Sequence, residues 1–380
     1  MRKLKIAQVA NIWQSLPPSG YGGTERVIFN ISEGLVRKGH DVTVFTTADS
    51  KITAQKRFFF KEKLLHKNIS WNNYLFSLTH FLWAYDEIKK SGDFDIVHGH
   101  LSLASDFLSI ALAHQLQIPS VFTLHLPLDT SERKEDRKDV FQFLKNSNYV
   151  SISNQQRLPI NLNYIRTIYH GIEIENYKFN PGPTNDTMAW IGRIVPAKGL
   201  EYALELSLTM QKKLLIGGRV DDENEANLNY YKTKIEHKLD SPYITHYGEV
   251  VSEKRNEIYA KSKCLLFPIQ WEEPFGLVTI ESMACGTPVV AFARGSVPEI
   301  VKDGVNGFIV NSSDDDIRGD FIIKKTGMEG LKEAVERIYS MPEKEYKNMR
   351  HNCRQYVESF FTVEQMVKNY EEVYLKIITK

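Results

Sequence analysis

Short apolar segments with β-strand character alternate with segments of helical periodicity along most of this 380-residue chain. This alternation is typical of parallel sheets whose strands are joined by crossover helices. A stretch rich in proline and glycine at 180–184 separates two such series and is predicted to be a linker. The sequence therefore predicts two successive doubly wound α/β domains that bind ligands at the carboxyl ends of their strands. The predicted strands are 6–10, 41–46, 96–98, 120–124, 149–153 and 166–169 in the first series, and 188–191, 213–216, 244–247, 264–267, 288–292 and 307–310 in the second.

The composition is that of an ordinary globular protein, with 42% hydrophobic and 25% charged residues. The formal net charge of +1 gives no general attraction to nucleic acid, so the sequence predicts no nucleic-acid partner. No apolar run has the length of a membrane span, and residues 1–6 lead directly into a strand pattern instead of a signal peptide. We therefore expect a cytoplasmic protein. The three cysteines lack the spacing of metal ligands and are expected to be reduced thiols.

The segment 271–290 joins two acidic residues to a strand, a tight turn and a helix. Pro274 and Gly276 predict the turn, and the helix is predicted over 277–285. This places Glu273 on a loop at the carboxyl edge of a strand and Glu281 along the helix that follows. The first free amides of that helix, together with its dipole, favour an anion such as phosphate. Two carboxylates beside such an anion site suit a ligand that carries both hydroxyls and phosphates.

The same segment resembles the E-x7-E signature of retaining glycosyltransferases of the GT4 type, with Glu273 and Glu281 at its two acidic positions. Glutamates at this spacing also occur on solvated surface helices, but the surrounding E-P-F-G-L and M-A-C-G-T-P-V-V-A sequences favour a sugar-nucleotide site. The resemblance implies that Glu273 contacts hydroxyls of the donor sugar and that Glu281 contacts the ribose. It also implies that backbone amides bind the sugar and phosphates, namely those of Phe275, Gly276, Leu277 and Val278.

The resemblance extends over nearly the whole chain and implies the GT-B fold, in which two Rossmann-like domains face each other across a cleft. By this resemblance, residues 1–175 form the acceptor-side domain and residues 176–358 the domain that binds the nucleotide sugar. Residues 359–380 are then the helix that crosses back to the N-terminal domain.

A glycine-rich loop at 17–27 follows the first predicted strand and opens a helix. Glycines let backbone amides approach phosphate or sugar closely, although such a loop is just as often a structural turn. The sequence P-P-x-x-Y-G-G-T-E-R-V resembles the corresponding loop of the AviGT4-like subgroup of GT4 enzymes. That resemblance implies that Gly22 and Gly23 contact the donor diphosphate, with Tyr21 on the acceptor side.

Another loop between a strand and a helix, 191–199, carries Arg193 and Lys198. A guanidinium fork and an ammonium ion can neutralise a diphosphate leaving group, a task that Mg²⁺ performs in other enzymes. The alternative is a solvated loop. The spacing matches the G-R-x-x-x-x-K-G pattern of the family, which implies that both residues bind the donor phosphates and that no metal is required. The acidic clusters 221–222 and 314–316 are predicted to be solvated loops.

Two histidines end the predicted strand in the sequence D-I-V-H-G-H. A histidine at a strand end is more often packed than catalytic. The family pattern D-x-V-H-x-H implies that His100 contacts the donor sugar, while His98 is expected to be structural. His125 is expected on the acceptor side, and 170–171 is interpreted as a hinge.

The segment 247–250 matches the strand end that holds the nucleobase in relatives, mainly through backbone groups. Val250 is therefore a predicted donor-binding residue, and uridine is the commonest base in the family.

Basic and aromatic residues interleave over 51–85, a pattern that can bind an anionic membrane surface. We favour the alternative, in which these aromatics belong to the core of a variable helix pair on the acceptor side. Contact with the inner face of a membrane is the other interpretation.

The residues and the resemblance together predict a metal-independent retaining hexosyltransferase. It would move a sugar from a nucleotide-diphosphate sugar, UDP-sugar above all, to a hydroxyl of a glycan, a lipid-linked or a small-molecule acceptor. The alternatives are a sugar-nucleotide epimerase and a non-catalytic protein that binds sugar nucleotides or glycans. The predicted catalytic residues are His100, Arg193, Lys198 and Glu273.

Overall fold

The computed structural model describes residues 2–20, 22–67, 69, 73–128, 141–182, 185–222 and 224–379. The contacts divide the chain into two compact units. The first consists of Met1–Ile172 together with Val363–Lys380, and the second of Glu173–Thr362.

The first unit is built on a seven-stranded sheet in the order β3-β2-β1-β4-β5-β6-β7, in which every neighbouring pair is parallel. The central strands are buried along nearly their whole length, because helices cover such a sheet on both faces. The strands are β1 (Lys5–Val9), β2 (Asp41–Phe45), β3 (Gln55–Arg57), β4 (Ile96–Leu101), β5 (Ser120–Leu124), β6 (Tyr149–Ser151) and β7 (Tyr164–Thr167), and the α-helices are α1 (Gly23–Arg37), α2 (Tyr74–Ser91), α3 (Leu108–Ala113) and, after the second unit, α11 (Val363–Ile378).

The second unit has a six-stranded sheet in the order β10-β9-β8-β11-β12-β13, again parallel throughout. Its core includes Met188 and Trp190 of the central strand together with apolar residues of the covering helices. The strands are β8 (Thr187–Ile191), β9 (Lys213–Gly217), β10 (Ile244–His246), β11 (Cys264–Phe267), β12 (Val289–Phe292) and β13 (Gly307–Val310), and the α-helices are α4 (Leu200–Met210), α5 (Glu225–Tyr230), α6 (Ser252–Lys261), α7 (Leu277–Ala284), α8 (Val297–Ile300), α9 (Gly327–Ser340) and α10 (Glu343–Phe360).

Helix α11 belongs to the first unit although it follows the second unit in the chain. The amide of Val363 donates to the carbonyl of Ile172, and Glu371 pairs with Lys38 at 2.7 Å and with His40 at 3.0 Å. Most of the apolar and aromatic residues of α11 are buried, so the helix forms part of the core of this unit.

The predicted α/β fold class is confirmed, and all the predicted strands are present with ends that differ by at most three residues. Strand β3 was not predicted, because its sequence, Gln-Lys-Arg, is polar and it lies at the edge of the sheet. The cysteines are free buried thiols, as the sequence predicts. No helix within the described ranges is long and apolar enough to cross a membrane.

Candidate functional site

The acidic segment occupies the carboxyl edge of the second sheet. Strand β11 ends at Phe267, and α7 begins at Leu277 with Gly276 as its N-cap. The intervening loop is fixed from one side by Ser296, whose amide donates to the Glu273 carbonyl at 2.9 Å and whose hydroxyl donates to the Phe275 carbonyl at 2.7 Å. The predicted donor-binding amides of residues 275–278 thus lie at the start of α7 and in the turn that precedes it.

Glu273 and Lys198 form an ion pair. Strands β8 and β11 are parallel neighbours, so the loops that follow them meet, and the amide of Gln270 donates to the Ala197 carbonyl at 2.9 Å. Residue Glu273 is 8% exposed, and its carboxylate also accepts the indole N–H of Trp271 at 2.8 Å. Lys198 Nζ lies 4.9 Å from the centre of the same indole ring. The structure therefore brings together two of the predicted catalytic residues, and Trp271 joins them without having been predicted.

Gly199 explains why the loop that carries Lys198 can pass so close to the end of β11. Its φ of 67° lies in the left-handed region, and a Cβ there would fall 2.0 Å from the carbonyl oxygen of Pro268. Only glycine lets the backbone beside Lys198 approach the loop that carries Glu273.

Arg193 forms an ion pair with Asp221, which belongs to the acidic cluster 221–222. Its Nη1 lies 3.4 Å from Asp221 Oδ2, and Asp221 also accepts a hydrogen bond from the side-chain Nδ2 of Asn227 at 2.9 Å. Asp221 is buried, so the prediction of a solvated loop at 221–222 is wrong for this residue. A buried acid beside an arginine gives no periodic sequence signal, because the partners are 28 positions apart.

The second acidic cluster is also structured. Asp316 accepts Arg318 Nε and the Ser312 hydroxyl, both at 2.7 Å, and lies 3.1 Å from Arg294. The hydrogen bond from Arg318 lowers the pKa of Asp316. Arg294 and Arg318 also contact Glu272, so this network anchors the residue next to Glu273. Asp314 and Asp315 are exposed, as predicted for a solvated loop, whereas Asp316 is half-buried in this network.

Glu281 is 3% exposed and is held by three side chains of its own unit. Its Oε1 accepts the Tyr177 hydroxyl at 3.3 Å, and its Oε2 accepts the Tyr259 hydroxyl at 3.2 Å and lies 3.2 Å from Arg255 Nε. Burial raises the pKa of Tyr259 well above its ordinary value, so this phenol remains a donor. The carboxylate is therefore fixed in position and paired with a cation.

The predicted nucleobase segment follows β10 at the same edge of the second sheet. The amide of Gly218 donates to the Gly248 carbonyl at 2.8 Å, which ties the segment to the end of β9. Val250 is buried against Gly217, while Tyr247 is exposed beneath Lys254 Nζ at 4.3 Å.

In the first unit, Gly22 is the N-cap of α1, which begins at Gly23. Tyr21, predicted on the acceptor side, lies outside the described residues. Glu25 in the first turn of α1 is buried, and burial raises its pKa. This acid was not among the predicted residues, although its place in the first helical turn, shortly after Gly22 and Gly23, is visible in the sequence.

Four histidine rings lie side by side in a row inside the first unit. His98 and His100 come from β4, His125 follows β5, and His170 lies near the end of this part of the chain. Ring centres are 4.1 Å apart between His98 and His100, and 5.3 Å apart for each of the next two pairs. Burial lowers the pKa of all four, for His125 to about 3, so the rings are neutral at pH 7.

His100 is 2% exposed, and both of its ring nitrogens contact protein groups. Its Nε2 lies 2.8 Å from Gln8 Oε1 and its Nδ1 lies 3.0 Å from His125 Nε2. His98 contacts the Tyr374 hydroxyl at 2.7 Å and Thr123 Oγ1 at 2.8 Å. Gln8 and Tyr374 were not predicted; the only signal was a polar residue inside the apolar strand β1.

Two family models cover most of the chain. The model of glycosyl transferases group 1 matches residues 173–359, and that of glycosyltransferase family 4 matches residues 21–176. The predicted resemblance is thereby confirmed: the chain belongs to the GT4 glycosyltransferases and is a glycosyltransferase.

Solved structures agree on the fold. Sucrose-phosphate synthase from Thermosynechococcus elongatus has a TM-score of 0.80 at 20% identity, with 100% of both chains covered. AviGT4, a glycosyltransferase involved in avilamycin A biosynthesis, has a TM-score of 0.66 at 18% identity, with 99% of this chain and 98% of that chain covered. HepE from Anabaena, in complex with UDP and glucose, has a TM-score of 0.72 at 17% identity, with 98% of this chain and 100% of that chain covered. The fold is therefore of the GT-B class, as predicted.

Proposed function

We propose that this glycosyltransferase moves a hexose from a nucleotide-diphosphate sugar to an acceptor hydroxyl with retention of anomeric configuration and without a metal ion. The observation that carries the proposal is the ion pair of Lys198 and Glu273 beside the N-terminus of α7. It sets a cation, a carboxylate and free helix amides at the carboxyl edge of one parallel sheet, where ligands of such sheets bind. A diphosphate matches the cation and the amides, and sugar hydroxyls match the carboxylate.

Bond breaking places negative charge on the departing diphosphate. In the proposed mechanism, Lys198, Arg193 and the α7 amides stabilise that charge and replace a metal ion. Glu273 accepts hydrogen bonds from the sugar, and Glu281, fixed by Tyr177 and Tyr259, accepts them from the ribose. As the resemblance implies, the departing phosphate takes the acceptor proton on the same face of the sugar, so no protein nucleophile is used.

The proposed donor is a UDP-sugar, and the support for it is the complex of the structurally similar HepE with UDP and glucose. The acceptor is proposed to be a glycan, a lipid-linked or a small-molecule alcohol, and Tyr21 and His125 are its proposed neighbours, while Gly22 and Gly23 are proposed to contact the donor diphosphate.

The test begins with UDP-, GDP- and ADP-sugars as ligands in thermal unfolding, because a ligand that binds the folded state raises the melting temperature. The donor that stabilises the protein is then incubated with acceptors in EDTA, and the anomeric configuration of the product is determined by NMR. We expect transfer to proceed in EDTA with retention of the anomeric configuration. Inversion would contradict the retaining mechanism, a strict requirement for added divalent metal would contradict the phosphate clamp, and isomerised donor without acceptor would select an epimerase.

We also propose that the first unit contacts an anionic membrane surface through an apolar surface on the 51–85 segment. Phe81 is buried, as expected for a core residue, but Phe58 and Phe59 are exposed. On α2, the spacing of i, i+3 and i+7 places Leu75, Leu78 and Leu82 on one face, and all three are exposed, Leu75 at 66%.

Phe59 packs against Trp83 of α2 with ring centres 6.1 Å apart, so this exposed phenylalanine lies against the helix that carries the three leucines. The exposed cations Arg57 and Lys61 flank the phenylalanines in the chain. Apolar residues bordered by cations complement anionic lipids.

Co-sedimentation with phosphatidylglycerol vesicles tests this contact. The triple variant Leu75→Ser, Leu78→Ser, Leu82→Ser is expected to lose most binding, and Leu158→Ser, which removes an exposed leucine elsewhere in the unit, is expected to keep it. Absence of binding by the unmodified protein, or equal binding by both variants, would contradict the proposal.

A further inference from the structure

Helix α11 carries two buried tyrosines whose hydroxyls reach the polar side chains of the central strands. The Tyr374 hydroxyl accepts Gln8 Nε2 at 3.1 Å and lies 2.7 Å from His98 Nδ1. The Tyr370 hydroxyl lies 3.0 Å from Thr123 Oγ1. Both tyrosines and Gln8 have no exposed surface, so each polar group needs its partner to offset the cost of burial.

These contacts connect through the strand register. Gln8 of β1 lies opposite His98 of β4, and His100 of β4 lies opposite Thr123 of β5. Side chains two apart on a strand point to the same face, so His98 and His100 stand side by side on one face. Gln8 contacts Tyr374 with its amide nitrogen and His100 with its amide oxygen, and it is the link between the helix and His100.

The amide orientation of Gln8 determines the tautomer of His100. Because Gln8 Oε1 can only accept, His100 Nε2 carries the proton, and in a neutral ring Nδ1 then has the lone pair. Nδ1 of His100 therefore accepts from His125 Nε2, which carries a proton in its turn. The lone pair of His125 is left on Nδ1, which is buried and has no hydrogen-bond partner among the described residues.

Rotation of the Gln8 amide would reverse each of these assignments. Its nitrogen would donate to His100 Nε2, the proton of His100 would move to Nδ1, and His125 Nδ1 would become a donor. In the orientation that the structure has, the hydroxyl of Tyr374 accepts from Gln8 Nε2, and its own proton is then available to His98 Nδ1.

We propose that Tyr374 is a positioning residue: through Gln8 it keeps His100 and His125 in the Nε2–H tautomer, so that Nδ1 of His125 accepts a hydrogen bond from a hydroxyl of the bound sugar or acceptor. The tautomer part stands on the contacts alone, and the use of Nδ1 rests on the proposed function. A sugar hydroxyl is the matching class of ligand, since it is a neutral donor and the ring is a neutral acceptor.

The structure offers a matched pair of substitutions on one helix. Tyr374→Phe and Tyr370→Phe each remove one buried hydroxyl, but only the first removes a partner of Gln8. Gln8→Met breaks the same link from the strand side and leaves α11 unchanged. In a protein labelled with ¹⁵N-histidine, two-dimensional NMR of the imidazole nitrogens reports each tautomer directly.

A single Nε2–H tautomer for His100 and His125 is expected in the unmodified protein and in Tyr370→Phe. Tyr374→Phe and Gln8→Met are expected to give mixed tautomers, and the double variant is expected to match either single one. A single unchanged tautomer in Tyr374→Phe would overturn the inference, whatever the activity does.

Steady-state kinetics test whether the Nε2–H tautomer of His125 contributes to sugar transfer. Tyr374→Phe is expected to lower kcat about tenfold with the donor KM within about twofold, while Tyr370→Phe stays within about twofold in both. Mixed tautomers with unchanged kcat would overturn the role of His125 Nδ1. If the unmodified protein transfers no sugar, the proposed function fails, and the NMR comparison still decides the tautomer assignment.

Discussion

The ion pair of Lys198 and Glu273 means that the charges of the site are balanced before a donor arrives. In the proposed mechanism, a donor diphosphate competes with Glu273 for the ammonium group of Lys198, while the indole of Trp271 still holds the carboxylate. If the leaving group gains negative charge as proposed, its attraction to Lys198 is stronger in the transition state than in the bound ground state.

We predict that Lys198→Ala lowers kcat by about 100-fold, which corresponds to ~2.7 kcal/mol of barrier, and raises the donor KM only a few-fold. Steady-state kinetics measure both constants. Lys212→Ala is the control, because it removes an ion pair with Asp186 that lies outside the predicted site. A large rise of KM with unchanged kcat would assign Lys198 to ground-state binding alone.

The two glutamates are predicted to differ both in ligand binding and in stability. Glu281→Gln leaves the buried Arg255 without a counter-charge, so it should lower the free energy of unfolding by about 3 kcal/mol and weaken binding of the nucleoside diphosphate. Glu273→Gln should leave nucleotide affinity near that of the unmodified protein and reduce turnover, since its proposed partner is the reacting sugar. Titration calorimetry with the product nucleotide and urea unfolding separate the two roles. Equal loss of nucleotide affinity in both variants would show that the assignment is wrong.

At the scale of elements, the loop that carries Glu273 depends on a glycine in the neighbouring connection between β12 and α8. Gly295 has a φ of 56°, and a Cβ there would lie 2.2 Å from the carbonyl oxygen of Glu273 and 2.4 Å from its nitrogen. Any side chain at this position must displace the backbone of Glu273.

Gly295→Ala is therefore predicted to lower stability by roughly 3 kcal/mol and to reduce activity at least tenfold, because crowding adds to the cost of about 1 kcal/mol for a left-handed alanine. Gly39→Ala is the control: its φ of 87° is also left-handed, but nothing lies within 4 Å of its Cβ. Chemical unfolding and kinetics of both variants measure the difference. Equal effects would mean that backbone strain alone, without crowding, determines the result.

The sequence predicted the elements better than their polar partners. Apolar strand segments are local signals, which is why 120–124, 264–267 and 307–310 were predicted with their exact bounds. Motifs also located Lys198 and Glu273, because both residues lie in loops that directly follow predicted strands. The contact between Gln8 and Tyr374 spans 366 positions and leaves no local pattern, so it required the fold. Asp221 was misassigned for a similar reason, since only the structure places Arg193 against it.

At the scale of the molecule, the strongly perturbed histidines all belong to the first unit, and this makes acid sensitivity uneven along the chain. Burial holds their pKa below the ordinary value, and an unfolded chain titrates histidine near pH 6.5. Between pH ~6.5 and the lower pKa of the folded state, the unfolded state binds more protons than the folded state. The stability that is present above pH ~6.5 is therefore lost as the pH falls, by up to about 1.4 kcal/mol per pH unit for each histidine. The residues are His80, whose pKa is about 4, His125, whose pKa is about 3, and His98, His100 and His170.

We predict that at pH 5 the first unit loses protection from hydrogen exchange while the second unit retains it. Exchange of backbone amides followed by mass spectrometry at pH 7 and pH 5, corrected for the intrinsic rate, resolves the two units by peptide. His125→Gln should reduce the acid effect by removing one titrating ring. Equal loss of protection in both units would contradict the assignment of the effect to these rings.

The place of α11 at the end of the chain also determines which of the two units is completed first during synthesis. The ribosome releases the chain from its N-terminus, so the whole second unit emerges while the first still lacks Val363, Met366, Val367, Tyr370 and Tyr374 in its core. During synthesis the unit that comes second in the chain is thus completed first, and the earlier unit lacks the contacts of Tyr370 and Tyr374 with His98 and Gln8 until α11 has been made.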